Sequence, residues 1–327
     1  MLHCHRALLA RCRRRQEMDS MTLDAGKPAD PYPFPPRQFI DIGGLRTAYH
    51  VEGEGPEALV FIYGGNFGGA DSASSAYAWN MQVAPLAKRF RVVVPDKIGQ
   101  GFTDPPLRDE DYTMGAVVAH IRDFLVAMKL PPVHIVGHSR GGFASARLAM
   151  ERPDLVRSLT IVTSGTLSPG VGTNEVVLAR PPHPPFTRES ARWVYENYCF
   201  RKEVVTEAWM DVVMETLANP DYRRGVDKIV GEGLGADLFL PDLARYKRET
   251  LTWIDEGRLQ RPTQVIWGFN DRTALVERGM ELFERIARHE RRTTFNVFNE
   301  AGHFVYREHP ERFNALLAGF VDLHSAW

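Results

Sequence analysis

One hexapeptide limits this chain more than any other feature: Gly137-His138-Ser139-Arg140-Gly141-Gly142. It follows a short run rich in β-branched residues, 133–136, and leads into an apolar-periodic stretch, 143–150, that stops before Pro153. Small residues two before and two after a serine let a strand reverse into a helix within one tight turn. The hydroxyl then stands above the sheet edge at a helix N-terminus. That context, strand before and helix after, separates a nucleophile elbow from an ordinary glycine-rich turn capped by a serine.

The flanking pattern agrees. Residues 38–42 and 46–52 flank Gly43-Gly44, a hairpin signal. Residues 58–63, 91–95, 158–163, 263–267 and 294–298 are further short apolar runs without alternation, the mark of strands buried on both faces. Helical stripes lie at 113–128, 275–288 and 310–323. Strands alternating with helices give an α/β fold with a mostly parallel central sheet flanked by helices. The alternation lapses between 167 and 260, where stripes at 191–198, 204–217 and 222–229 follow a proline cluster, Pro181, Pro182, Pro184 and Pro185. This reads as a helical cap inserted into the sheet. The expected organisation is an N-terminal extension, 1–37, disordered in part; a core formed by 38–166 and 261–327; and the cap, 167–260.

Charge and cysteine narrow the function. The chain of 327 residues has 40 basic and 41 acidic side chains, a balance that gives no reason to expect nucleic acid as a partner. Five arginines (Arg6, Arg11, Arg13, Arg14 and Arg15) crowd the first fifteen residues with no acid among them, and without them the balance is 35 to 41. That leader reads as a dispensable extension, with Met18 and Met21 as alternative starts. No apolar run reaches membrane-spanning length, so no membrane association is expected. Cys4, Cys12 and Cys199 form no C-x-x-C pair, which points to a reducing, cytoplasmic setting. Cys199, between Tyr198 and Phe200, reads as a buried spectator thiol. No His/Cys cluster has ligand spacing, so neither a metal nor an organic cofactor is expected.

A serine elbow needs an acid and then a base further along the chain. Among the histidines after Ser139, His303 lies in Ala301-Gly302-His303-Phe304, just past the last strand, where a loop can bring it over the sheet. His183 sits in the proline cluster, His289 in a charged run, and His309 heads the last helix. Asp271 follows the strand at 263–267, at the carboxyl edge where catalytic groups converge in open sheets. Glu300 is the next carboxylate to test. For the oxyanion hole, one donor is the amide of Arg140. The second comes from the loop Gly64-Gly65-Asn66-Phe67-Gly68-Gly69, with Gly65 first and Asn66 second. Phe304 and Trp79 are expected in the wall of the pocket. Trp209, on a cap helix, is a candidate wall or core residue.

These stretches, together with Pro95-Asp96-Lys97-Ile98-Gly99-Gln100-Gly101-Phe102-Thr103-Asp104 and Arg307-Glu308-His309-Pro310, resemble the α/β-hydrolase superfamily with a cap, over roughly residues 38–325. Within it the chain is most similar to the meta-cleavage-product hydrolases, which hydrolyse carbon–carbon bonds in ring-fission products of aromatic compounds. The resemblance implies a small-molecule 2-hydroxy-6-oxo-dienoate substrate that becomes a keto tautomer before cleavage. It also implies that Asp96 and Asp104 organise loops rather than catalyse. Two positions depart from the pattern. The family's His-Gly after the third strand, a loop support, is Tyr63-Gly64 here. The cap arginine expected after the Thr206-Glu207 pair, to bind the substrate carboxylate, is replaced by Val212 and Val213. Arg192 is the first candidate to take its place, beside Arg201, Arg223 and Arg224. If no cation does so, a carboxylic ester, lactone or amide becomes the expected substrate. A non-catalytic small-molecule receptor and a cofactor-free oxygenase or perhydrolase are the rival readings on this fold. A homodimer is the candidate assembly.

Overall fold

The computed structural model describes residues 30–325, apart from 66, 171, 172, 174–176 and 179. The Arg-rich leader, with Cys4 and Cys12, lies outside the described residues.

Eight strands form one sheet in the order β1-β2-β4-β3-β5-β6-β7-β8. They are β1 Gln38–Ile42, β2 Leu45–Glu52, β3 Ala58–Ile62, β4 Arg91–Pro95, β5 Val133–His138, β6 Val156–Val162, β7 Thr263–Gly268 and β8 Thr293–Phe298. β1 and β2 form a hairpin whose register pairs Ile42 with Leu45. The two residues between them, Gly43 and Gly44, have φ of 62° and 88°, the backbone that a tight hairpin of this hand requires. β2 also runs antiparallel to β4, and all later pairs are parallel. β3, β5 and β7 are buried at every position, as unalternating apolar runs require. Because β3, β5, β6, β7 and β8 are parallel neighbours, their carboxyl ends share one edge of the sheet.

Helices α1 Asn80–Ala87, α2 Met114–Ala127, α3 Arg140–Glu151, α8 Val276–Ala287, α9 Val305–Glu308 and α10 Pro310–His324 accompany the strands. α4 Arg188–Tyr198, α5 Glu207–Ala218, α6 Pro220–Val226 and α7 Leu240–Asp255 all fall between β6 and β7. α2, α4 and α5 each start at a threonine, Thr113, Thr187 and Thr206, whose hydroxyl accepts an N–H of the first turn. Two apolar clusters cover the two faces of the sheet. Leu59, Phe61 and Val92 point into one, and Ala58, Val60, Ile62 and Val93 into the other.

The segment 30–37, expected as part of the extension, packs tightly. Asp30 accepts hydrogen bonds from Tyr77 Oη at 2.8 Å and from Thr206 Oγ1 at 2.9 Å. It also pairs with the buried Arg307 guanidinium at 3.4 Å. Phe34 lies against His50 and Tyr77, and Arg37 stacks over the Phe102 ring.

Candidate active site

Ser139 sits between β5 and α3 with φ 52° and ψ −122°, a backbone strained for any residue with a side chain. The close approach around it explains the glycines. A Cβ on Gly137 would stand 2.5 Å from the Gly141 carbonyl oxygen, and one on Gly141 would stand 2.2 Å from that of Ile62. The turn is held by Ser139 N–H donating to Val162 O at 2.9 Å and by Ser164 Oγ donating to Ser139 O at 2.5 Å. The Ser139 hydroxyl makes no capping bond to α3.

His303 and Asp271 come from the loops after β8 and β7. Asp271 Oδ1 accepts from Thr273 N, Thr273 Oγ1 and Ala274 N at 2.8, 2.8 and 2.9 Å. Its other oxygen, Oδ2, lies 2.6 Å from His303 Nδ1. With Oδ1 committed to three donors, the carboxylate is fixed in the orientation that presents Oδ2 to the imidazole. The His303 backbone is fixed as well: its N–H donates to Tyr198 O at 2.9 Å, and its carbonyl accepts from Thr163 Oγ1 at 2.9 Å and His138 Nε2 at 3.0 Å. Tyr198 stacks on the imidazole at 4.9 Å.

Several residues that carry this geometry are not evident from the sequence. His138 is buried, and burial, with His303 beside it, holds its pKa well below the ordinary histidine value. It is therefore neutral: Nε2 donates to the His303 carbonyl, and Nδ1 accepts from Tyr306 Oη at 3.4 Å. Tyr306 stacks on Trp79 at 4.0 Å. The buried Glu308 accepts from Gly302 N at 2.7 Å and from Phe200 N and Arg201 N at 2.9 Å, tying the His303 loop to the chain after α4. Burial raises the Glu308 pKa, opposed by those amide bonds. Burial likewise pushes the Cys199 thiol well above its usual value, as for a spectator.

Ser139, His303 and Phe304 line one small cavity of about 40 Å³, walled also by Tyr195 and Tyr198. A second lobe of about 220 Å³ is lined by Asp71, Arg140, Leu178 and Val194. The two lobes share Gly65, Ser72 and Tyr198. Gly65 has φ 85°, a backbone that favours glycine. Asn66 lies outside the described residues.

Trp79 and Arg192 are placed away from the pocket, and Trp209 takes the core alternative. Trp79 is fully buried between Phe61 and Tyr306, one layer behind the cavity. Trp209 is core: it packs on Tyr195 and Phe304, and the Arg307 guanidinium lies 4.0 Å over its ring. Arg192 points along the cap surface, where its guanidinium bonds Glu207 at 2.9 Å and the Val205 carbonyl at 3.0 Å. An arginine with two partners on its own neighbourhood of helices does not turn to the sheet edge, and it is absent from the walls of both lobes. Arg140 is the arginine that lines the larger lobe.

Among the described residues, no group of three His, Cys, Asp or Glu is placed to hold a metal ion, and no helix is long and apolar enough to cross a membrane.

A mostly parallel sheet with a strained serine turn after β5 and an Asp–His pair on the loops after β7 and β8 defines a class, and the family comparison agrees. Residues 57–310 match the model of the alpha/beta hydrolase fold, and the chain belongs to that family. Among its relatives is a 2-hydroxy-6-oxononadienedioate/2-hydroxy-6-oxononatrienedioate hydrolase of Paraburkholderia xenovorans, 25% identical over 85% of this chain and 91% of the relative. Another is a 2-hydroxymuconate semialdehyde hydrolase of a Pseudomonas species, 25% identical over 86% of this chain and 92% of that one. The crystal structure of a meta-cleavage product hydrolase superposes with a TM-score of 0.70 at 25% identity, covering 87% of this chain and 97% of that one.

Proposed function

We propose that this chain is a serine hydrolase that cleaves a carbon–carbon bond in a 2-hydroxy-6-oxo-dienoate. The observation that carries the reading is the 2.6 Å contact of Asp271 Oδ2 with His303 Nδ1 in the wall of the cavity that holds the strained Ser139. A proton on Nδ1, donated to the carboxylate, leaves Nε2 as the basic nitrogen. His303 then takes the Ser139 proton as Oγ bonds to the substrate carbonyl carbon. The amides of Arg140 and Gly65 receive the oxyanion. When that intermediate collapses, the carbon–carbon bond breaks, and the departing carbon, conjugated with the 2-oxo group of the keto tautomer, takes the proton from His303. Water, deprotonated by His303, then hydrolyses the acyl ester on Ser139.

Support for the dienoate comes from the relatives named above and from a cation in the larger lobe. A carboxylate leaving water must be paired. Arg140, next to the nucleophile and in the wall of the 220 Å³ lobe, is the group suited to pair it.

The test follows the absorbance of a 2-hydroxy-6-oxo-dienoate and the release of p-nitrophenol from an aryl ester. Dienoate cleavage by the wild type, abolished in Ser139→Ala, supports the reading. Fast ester turnover with no dienoate cleavage assigns the site to an ester or lactone instead.

A further inference from the structure

We propose that Lys97 is the positioning residue of the oxyanion loop, holding the Gly64–Gly65 peptide in the orientation that points the Gly65 N–H into the active site. The inference rests on the serine-hydrolase reading above. The Lys97 side chain is buried immediately after β4, with only 2% of the residue exposed. Its Nζ donates to the Gly64 carbonyl at 2.9 Å and to the Gly65 carbonyl at 3.3 Å. The ammonium also lies 4.8 Å from the centre of the Tyr63 ring, while the Lys97 backbone N–H donates to Tyr63 Oη at 3.3 Å. Lys97 and Tyr63 thus grip the same loop from its base.

The physical need for such a grip lies in the two glycines. A link between two glycines is the freest in a chain, and Gly65 already sits at φ 85°. In a trans peptide the carbonyl and the next N–H point in opposite directions. Drawing the Gly64 carbonyl onto Lys97 therefore turns the Gly65 N–H away from the lysine. The two sides of the loop are distinct: Lys97 and Gly65 line a small cavity with Phe67 and Phe239, whereas Gly65 and Ser139 line the reactive one. A flipped peptide would offer the oxyanion a carbonyl oxygen instead of a donor.

Lys97 is an expensive way to hold a loop by stability alone. Its partners are carbonyls, not a carboxylate, and a buried ammonium without a counter-ion is costly. Burial and the nearby Arg140 pull its pKa well below the ordinary lysine value, with Asp96 opposing them. An amine in either protonation state has at least two N–H groups for two carbonyls, so the grip does not depend on its charge. The position also explains a departure in the sequence. Tyr63 stands where the resemblance expects a loop-supporting histidine, and the structure gives Tyr63 and Lys97 that place.

The test compares Lys97→Met and Lys97→Gln with the wild type, using p-nitrophenyl acetate and a fluorophosphonate that phosphonylates the serine. Removing an oxyanion donor outright costs about 10²–10³ in kcat; a donor free to flip costs less, so Lys97→Met is expected to lose at least about thirtyfold. The fluorophosphonate labelling rate should fall by a similar factor. KM should stay within about twofold, because the substrate-binding walls are untouched. Lys97→Gln, which keeps a donor for Gly64, should fall between. Wild-type kcat and labelling rate in folded Lys97→Met overturn the proposal, as does a loss of kcat, KM and melting temperature together. If Lys97→Met does not fold, Lys97→Gln at wild-type kcat and labelling rate overturns it. A wild type that the fluorophosphonate does not label refutes the serine-hydrolase reading itself, a result distinct from equal labelling of wild type and variant.

Discussion

The two sides of Ser139 are built differently. On the base side, Asp271 and His303 follow directly from strand ends, three residues past β7 and five past β8, and a direct bond joins the two loops. On the oxyanion side, the Gly64–Gly65 loop after β3 is held by a lysine after β4, and the lobe beyond it is walled by Arg140 of α3 and Val194 of α4. On the first side acid and base meet directly at neighbouring strand ends; the second is an assembly of distant segments. In the proposed mechanism the chemistry common to acyl transfer belongs to the base side, and substrate selection and charge stabilisation to the other.

The largest effects should come from the base side. Ser139→Ala and His303→Ala should each lower kcat by at least about a thousandfold without loss of fold, measured with any turned-over ester and checked by circular dichroism. Asp271→Asn keeps the shape but offers Nδ1 a different partner and so favours the wrong tautomer; a loss of about a thousandfold is expected. Near-normal turnover of that variant would assign the acid role to another carboxylate, and Glu300→Gln would be measured next.

Effects on the other side should be smaller and divided by substrate. Arg140→Ala leaves the backbone amide in place and removes the guanidinium. KM for a dienoate should rise about tenfold, the scale of one charge-assisted hydrogen bond, with little change for a neutral aryl ester. Arg192→Ala should shift both by less than about twofold, because its guanidinium is committed to Glu207 and Val205. Equal effects of Arg140→Ala on both substrates would remove the carboxylate from the account of the larger lobe.

The smallest effect on turnover should come from the segment 30–37, whose Asp30 bridges Thr206 at the start of α5 and Arg307 of α9. Asp30→Ala leaves the buried Arg307 without its carboxylate. Breaking a buried pair costs about 3–5 kcal/mol, so the melting temperature should drop by at least about 5 °C while kcat stays within about twofold. An unchanged melting temperature would show that residues 30–37 add nothing to the union of core and cap.

The same contrast governs what the sequence discloses. β1 and β4 are read from the sequence residue for residue, and the other strands to within two at either end: the central ones because a run buried on both faces leaves a continuous apolar signature, the largely exposed β1 because Gly43-Gly44 marks its end. Two helices escape. α7 turns a mixed stripe inward, with only Thr250 and Ile254 buried, and α1 carries Pro85 inside it. Ser139, Asp271 and His303 are readable as candidates because each follows a strand that is itself readable. Lys97, Tyr306 and Glu308 are not, since their roles exist only once β3 meets β4 and the His303 loop meets α4. Arg192 and Trp79 mislead for the same reason: a residue type suited to a pocket does not disclose which way its helix is turned.

Phosphonylation of Ser139 tests the central claim most directly. The intact protein is treated with a fluorophosphonate, digested and mapped by mass spectrometry, with Ser139→Ala and His303→Ala alongside. The account predicts one adduct, on the peptide containing Ser139, absent in Ser139→Ala and slowed at least about a hundredfold in His303→Ala, the scale of a lost general base. No adduct on Ser139, or labelling at the wild-type rate in His303→Ala, would contradict it.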